Sequence, residues 1–167
     1  NKIRYGLSAV KNVGTAIVQA TIEARELGGD FTSLDDYIRR ILAVNKASVN
    51  RKAVESLIKA GALDSFGLHR SQLMVDMEMS IDSVQHTRRN NVDGQTSMFD
   101  LMETPQTREV QQINEYRKSQ FLAYEKEVLG IYLTDHPFSP YEDRVKSKIN
   151  FSVKNIIAED NMEILDG

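Results

Sequence analysis

The sequence predicts an all-α fold. Two observations carry that expectation. Apolar residues recur at the helical period in most stretches between residues 7 and 129. Helices with a lysine near their end run into short glycine turns, with Val10-Lys11 echoed by Ile58-Lys59. The plan of helix, glycine turn and helix therefore occurs twice. The expected order is a tandem domain over 1–86, a linker over 87–108, a further helix and extended connector over 109–141, and a mostly irregular segment over 142–167 that leads toward a following domain.

Leu7 to Val10 is apolar enough for a short helix that breaks at Lys11-Asn12-Val13-Gly14. A second helix starts at Thr15, because Val13, Ile17, Ala20 and Ala24 share one face and Gly28-Gly29 supplies a stop. Ser33 is the expected N-cap of the next helix, with Asp36 three residues on and Leu34, Tyr37, Ile38 and Ile41 on its buried face. Asn50 caps a helix whose apolar stripe is Val54, Leu57 and Ile58, with Lys59 near its end, and Gly61-Ala62-Leu63-Asp64 interrupts it. After Ser65-Phe66-Gly67 a long helix keeps its period through Leu73, Met77, Ile81 and Val84 to about Gln85.

From Thr87 to Thr107 the period fails in turn chemistry (Arg88-Arg89-Asn90-Asn91, Asp93-Gly94, Thr104-Pro105), which predicts an exposed linker. A helix from about Glu109 to Leu129, ending at Gly130, places Ile113, Tyr116, Leu122 and Leu129 on its apolar side. Ile131-Tyr132-Leu133 then enters Asp135-His136-Pro137 and Pro140-Tyr141, which predicts extended or turning chain.

At 41% hydrophobic and 27% charged residues, the 167-residue composition is that of a globular protein. No apolar run approaches the roughly 20 residues of a bilayer span, and Asn1-Lys2-Ile3-Arg4 is not a signal peptide, so no membrane partner and a cytoplasmic location are expected. The absence of cysteine excludes disulfides, thiol catalysis and cysteine zinc sites. The net charge of −3 hides an uneven distribution: residues 1–60 hold ten Lys/Arg against six Asp/Glu, residues 61–110 four against eight, and residues 111–167 seven against ten. Only the first segment is basic, so contact with a polyanion would be local and modest.

The chemistry-bearing element is the first turn. A helix N-terminus leaves backbone N–H groups unpaired and partly positive, and small residues before it let an anion approach. Gly14 would admit a phosphate oxygen, Val13 would tuck between the helices, Asn12 tolerates a left-handed conformation, Thr15 opens the helix and Lys11 adds a point charge. Such a seat binds backbone rather than base edges, and so tolerates any sequence and responds to salt. Taken alone, these residues leave a second reading, an antiparallel packing corner. The second turn offers Lys59, Gly61 and Ala62, but places Asp64 beside any phosphate, which leaves open whether it contacts DNA or only supports the first.

Ile3-Arg4-Tyr5-Gly6-Leu7-Ser8-Ala9-Val10-Lys11-Asn12-Val13-Gly14 closely resembles the start of the tandem helix-hairpin-helix region of bacterial DNA polymerase III alpha subunits, C-family polymerases. Phe31 to Leu34, Val54 to Gly67, and Glu125 to Leu133 with His136-Pro137 resemble the same family in the same order, covering most of residues 2–141. One departure is Asn12, where the family often has glycine. The resemblance implies a non-catalytic segment that holds duplex DNA leaving an active site elsewhere in a longer, nucleoid-associated chain with other replisome partners. Its catalytic acids and Mg2+ would lie in a palm domain upstream, and an oligonucleotide-binding barrel would follow. The segment itself is expected to hold no cofactor, no metal and no catalytic residue.

Gln95-Thr96-Ser97-Met98-Phe99 is similar to the pentapeptide by which this family binds the sliding clamp. In an extended peptide Gln95 hydrogen-bonds at a groove rim, Ser97 is the small spacer, and Met98 and Phe99 fill an apolar pocket. The competing reading folds Met98, Phe99 and Leu101 back onto the domain. At the level of the whole chain the alternatives are a helix-hairpin-helix module of a repair enzyme, and a protein-interaction module whose hairpins are only structural.

Overall fold

The computed structural model describes residues 5–44, 50–92 and 113–148, with the backbone alone for 85–92. In chain order these form a 3-10 turn at Leu7–Ala9, α1 at Thr15–Gly28, α2 at Leu34–Val44, α3 at Arg51–Lys59, a 3-10 turn at Asp64–Phe66, α4 at Arg70–Val92, α5 at Lys118–Leu129, a 3-10 turn at Ser139–Tyr141 and α6 at Glu142–Lys146. No strand occurs among the described residues, in agreement with the all-α expectation. The chain divides into two units, residues 1–133 and 134–167.

In the first unit α1 packs on α2, α2 on α4, and α3 on both α4 and α5. Their apolar stripes meet in one core that includes Tyr37, Ile38 and Ile41 of α2, Val54, Leu57 and Ile58 of α3, and Leu73, Met77 and Ile81 of α4. Ile38, Val54, Ile58 and Leu73 lose all contact with solvent. Each such side chain contributes about 1.5–3 kcal/mol by leaving water. Val10, Val13, Ala20 and Ala24 carry the first hairpin into the same core, and Val128 and Leu129 carry the end of α5 there. Met77 is core, whereas Met79 is half exposed.

The expected caps form. Ser33 Oγ accepts the Asp36 N–H at 3.1 Å, and the Asp36 carboxylate accepts the Thr32 N–H at 3.1 Å, one residue before the cap. Desolvation would raise the Asp36 pKa, but the Thr32 N–H and the Arg40 guanidinium, with Arg39 nearby, outweigh it and hold it below the usual carboxylate range. Asn50 Oδ1 accepts the Lys52 N–H at 3.0 Å. Gly29 ends α1 at φ +73° with its N–H on the Arg25 carbonyl at 2.7 Å, the geometry glycine permits most readily.

Three boundaries differ from expectation. The α4 backbone stays helical to Val92, past Gln85 and into the stretch assigned to the linker. The apolar period reports a buried face and not the backbone, so a helix can outrun its last core residue. The helix expected from Glu109 starts at Lys118, because residues 113–117 run without helix along the N-terminus of α4. There Ser71 Oγ donates to the Asn114 carbonyl at 2.9 Å, and the Ile113 N–H donates to Gln72 Oε1 at 3.2 Å. In the second unit the expected irregular chain holds a 3-10 turn running directly into α6, with Pro140 in the first positions, where a missing N–H costs nothing. Residues 93–112 and 149–167, with the Gln95 to Phe99 peptide, lie outside the described residues.

Candidate nucleic-acid interface

The first turn is built on a left-handed residue. Asn12 has φ +66°, the only non-glycine residue with positive φ among those described. Its Nδ2 donates to Ser56 Oγ of α3 at 3.1 Å, and Ser56 is buried. This bond ties the turn to the second hairpin and offsets the cost of the left-handed backbone. Val13 is buried and its N–H closes the turn on the Val10 carbonyl at 3.1 Å. The Lys11 N–H donates to the Val128 carbonyl at 2.9 Å and the Tyr5 hydroxyl to the Leu129 carbonyl at 3.0 Å, so the end of α5, which otherwise leaves carbonyls unpaired, anchors the turn from below.

Beyond this anchor the turn opens outward. Gly14 is the N-cap of α1 in extended conformation, with no side-chain cap and no acidic residue in the first turn of the helix. Gly14, Thr15 and Ala16 are exposed, and a Cβ placed on Gly14 would meet no atom within 4 Å. The Lys11 side chain is exposed and makes no ion pair among the described residues. Main-chain donors, helix dipole and one cation thus converge on a site that the described side chains leave uncovered.

The second turn has the same layout and is filled. Gly61 sits at φ +76°, and a Cβ there would run into the Arg70 guanidinium and the Asp64 carboxylate. Arg70 is buried and grips the turn from α4: Nε and Nη2 donate to the two Asp64 oxygens at 2.9 and 2.8 Å, and Nη1 to the Lys59 carbonyl at 2.9 Å. Nη1 also lies 3.4 Å from Oε1 of Glu125, a fully buried carboxylate whose Oε2 accepts the Leu133 N–H at 2.8 Å. The Phe121 ring stacks under the guanidinium at 3.9 Å.

The N-terminus of α4 already holds an anion. The Glu115 carboxylate accepts the Arg70 N–H at 2.9 Å and the Ser71 N–H at 3.3 Å. Burial would raise the Glu115 pKa, but the N–H groups of Tyr116, Arg70 and Ser71, with His69 nearby, outweigh it and lower it. Lys59 is equally engaged, with Nζ 2.8 Å from Glu55, 3.1 Å from Glu127 and 4.8 Å over the Tyr124 ring. Desolvation would lower the Lys59 pKa, and the two carboxylates overcome it and raise it.

The structure therefore brings Lys11, Asn12, Val13, Gly14 and Thr15 together as one open turn, and places Lys59 and Gly61 in a second turn packed against Arg70, with Ala62 exposed beside them. Asp82 and Glu78 lie on the surface of α4, where they pair with Arg51 at 3.3 and 2.6 Å. Sequence reasoning missed Ser56, Arg70, Glu115 and Glu125. Two of these left a signal. Glu125 stands on the apolar face between Leu122 and Leu129, and a carboxylate there requires a partner. Arg70 is a cation in the first turn of a helix, where the dipole disfavours it.

A family model described as a helix-hairpin-helix motif matches residues 1–73. The chain is similar to the DNA polymerase III subunit alpha of Borreliella burgdorferi (35% identity over 94% of this chain and 14% of that protein), of Thermus aquaticus (41%, over 84% and 11%) and of Neisseria meningitidis (34%, over 98% and 14%). It spans between about a tenth and a seventh of the length of these relatives.

Proposed function

We propose, from the premise that this chain is homologous to a stretch of bacterial DNA polymerase III alpha subunits, that it grips the sugar-phosphate backbone of duplex DNA and tethers a polymerase to its sliding clamp. One observation carries the first half: the N-terminus of α1 is uncapped and exposed behind Gly14 and beside Lys11, in a helix-hairpin-helix segment. A phosphate on this turn would accept main-chain N–H bonds at the positive end of the helix dipole. No base edge is involved, so the grip is sequence-independent, as a replicating enzyme requires. In this reading nucleotidyl transfer belongs to the rest of a longer chain.

The second half rests on Gln95, Ser97, Met98 and Phe99, whose order of polar rim residue, small spacer and two apolar anchors fits a groove on a clamp. The two halves separate by mutation. Lys11→Glu is expected to weaken binding of every duplex sequence alike, by about tenfold at low salt, and to reduce the salt slope by about 1. Unchanged affinity in fluorescence anisotropy would reduce the first turn to a packing corner. Met98→Ala with Phe99→Ala is expected to abolish clamp binding in a calorimetric titration while duplex affinity stays put; a retained clamp affinity removes the tether.

A further inference from the structure

Three cations stand on α3, namely Arg51, Lys52 and Lys59, and the structure commits two of them. Arg51 lies 2.6 Å from Glu78 and 3.3 Å from Asp82 of α4. Lys59 is held by Glu55 and by Glu127 of α5. Lys52 is exposed and takes part in no ion pair among the described residues. Its position is fixed by Ser56, which follows it by four residues. That spacing puts the two side chains about 40° apart around the helix and about 6 Å apart along its axis, on one face. Ser56 Oγ is 3.1 Å from Asn12 Nδ2, so this is the face of α3 that borders the first turn. Lys52 stands one helical turn further toward the N-terminus of α3, on the face that borders the first turn, and joins none of the ion pairs that neutralise its neighbours among the described residues.

We propose that Lys52 is a further phosphate-binding residue, contacting the strand that the first turn holds. This rests on the DNA-binding reading and adds to it a second point of charge supplied by the other hairpin. With Lys11 in the turn and Lys52 on the helix face that Asn12 bonds, a backbone held at the N-terminus of α1 would meet a cation from each hairpin. Both are compact ammonium groups on flexible stems, suited to phosphates at variable positions rather than to a fixed base. The Asn12 to Ser56 bond then gains a binding role, since it sets the separation between the seat and the α3 cation.

The test is duplex affinity of the 167-residue chain measured by anisotropy across a salt series, with a short mixed-sequence duplex as probe. Lys52→Gln keeps the stem and the helix propensity and leaves the Asn50 cap, which is bonded to the main chain, in place. It is expected to bind about three- to tenfold more weakly at low salt and to lower the salt slope by about 0.9. Arg25→Gln, another exposed cation, some 15 Å along α1 from Thr15, is the control and is expected to change neither quantity. Lys52→Gln behaving like the control, while Lys11→Glu still loses affinity, overturns the role of Lys52 and leaves the first turn standing. If all three variants bind as the parent does, the first turn is not the phosphate seat and the role of Lys52 falls with it. Thermal melting of Lys52→Gln within a few degrees of the parent shows that any loss is one of binding.

Discussion

The two glycine turns share a layout of helix, lysine, glycine and helix, yet they present opposite surfaces. At the first, α1 starts behind an exposed Gly14 with no side-chain cap and no acidic residue in its first turn. At the second, Arg70 fills the concavity around Gly61, and the leading N–H groups of α4 are spent on Glu115. The difference teaches that a helix N-terminus is an anion site only where the protein has not supplied its own anion. The filled turn has a structural use in return. Through Arg70 and Glu125 it locks α3, α4 and α5 to each other, and α5 supplies the Val128 carbonyl that anchors the Lys11 N–H.

The largest expected effect comes from removing the plug. Arg70→Ala takes away the fork on Asp64, the bond to the Lys59 carbonyl and the cation paired with a fully buried carboxylate. Breaking a buried pair from one side costs about 3–5 kcal/mol. Urea denaturation should show a loss of that size, while duplex affinity measured where the variant remains folded should be unchanged. A loss below about 1 kcal/mol would mean that the second turn holds itself together, and the contrast between a built joint and an open seat would fail.

Glu115→Gln is a smaller break. The Glu115 pKa is lowered in the folded chain, so its stabilisation is complete above the unfolded glutamate value near about pH 4.3. It is lost as pH falls through the lower folded value. Glutamine keeps an acceptor for one N–H group but gives up the charge at the helix end, which should cost about 1 kcal/mol at neutral pH. The difference from the parent should shrink below about pH 4. Melting temperatures recorded from neutral to acid pH would reveal it, and a constant difference across that range would show that Glu115 is neutral when it caps α4.

How much of this was legible beforehand depends on how far apart in the chain the partners stand. Caps bind within a few residues, so Ser33, Asp36 and Asn50 could be placed from sequence, and the apolar stripes of α1 to α4 follow from one period. The open turn was legible too, because its residues run consecutively from Lys11 to Thr15. What holds the second turn was not: Arg70 lies only six residues from Asp64, but its buried partner Glu125 stands 55 residues away and the α4 cap Glu115 stands 45, and nothing in the local pattern pairs them. The same distance hid the start of α5. Residues 113–117 have helical spacing, but their polar groups are taken by the N-terminus of α4, and that tertiary bonding overrides propensity.

Gly14→Asp has the smallest effect on stability and separates the turns most sharply, because stability and binding should move in opposite directions. The position is an uncapped N-cap in extended backbone, with nothing within 4 Å of a new Cβ. Aspartate is a better N-cap than glycine by a few tenths of a kcal/mol, and its charge complements the dipole by about 0.3–1 kcal/mol. The variant should therefore melt slightly higher than the parent. Its carboxylate would occupy at the first turn the place that Glu115 takes at the second, and duplex binding should fall well beyond the loss for Lys11→Glu. A stabilised variant that still binds duplex DNA normally would show that phosphate never sits on the α1 N-terminus, whatever else holds the nucleic acid.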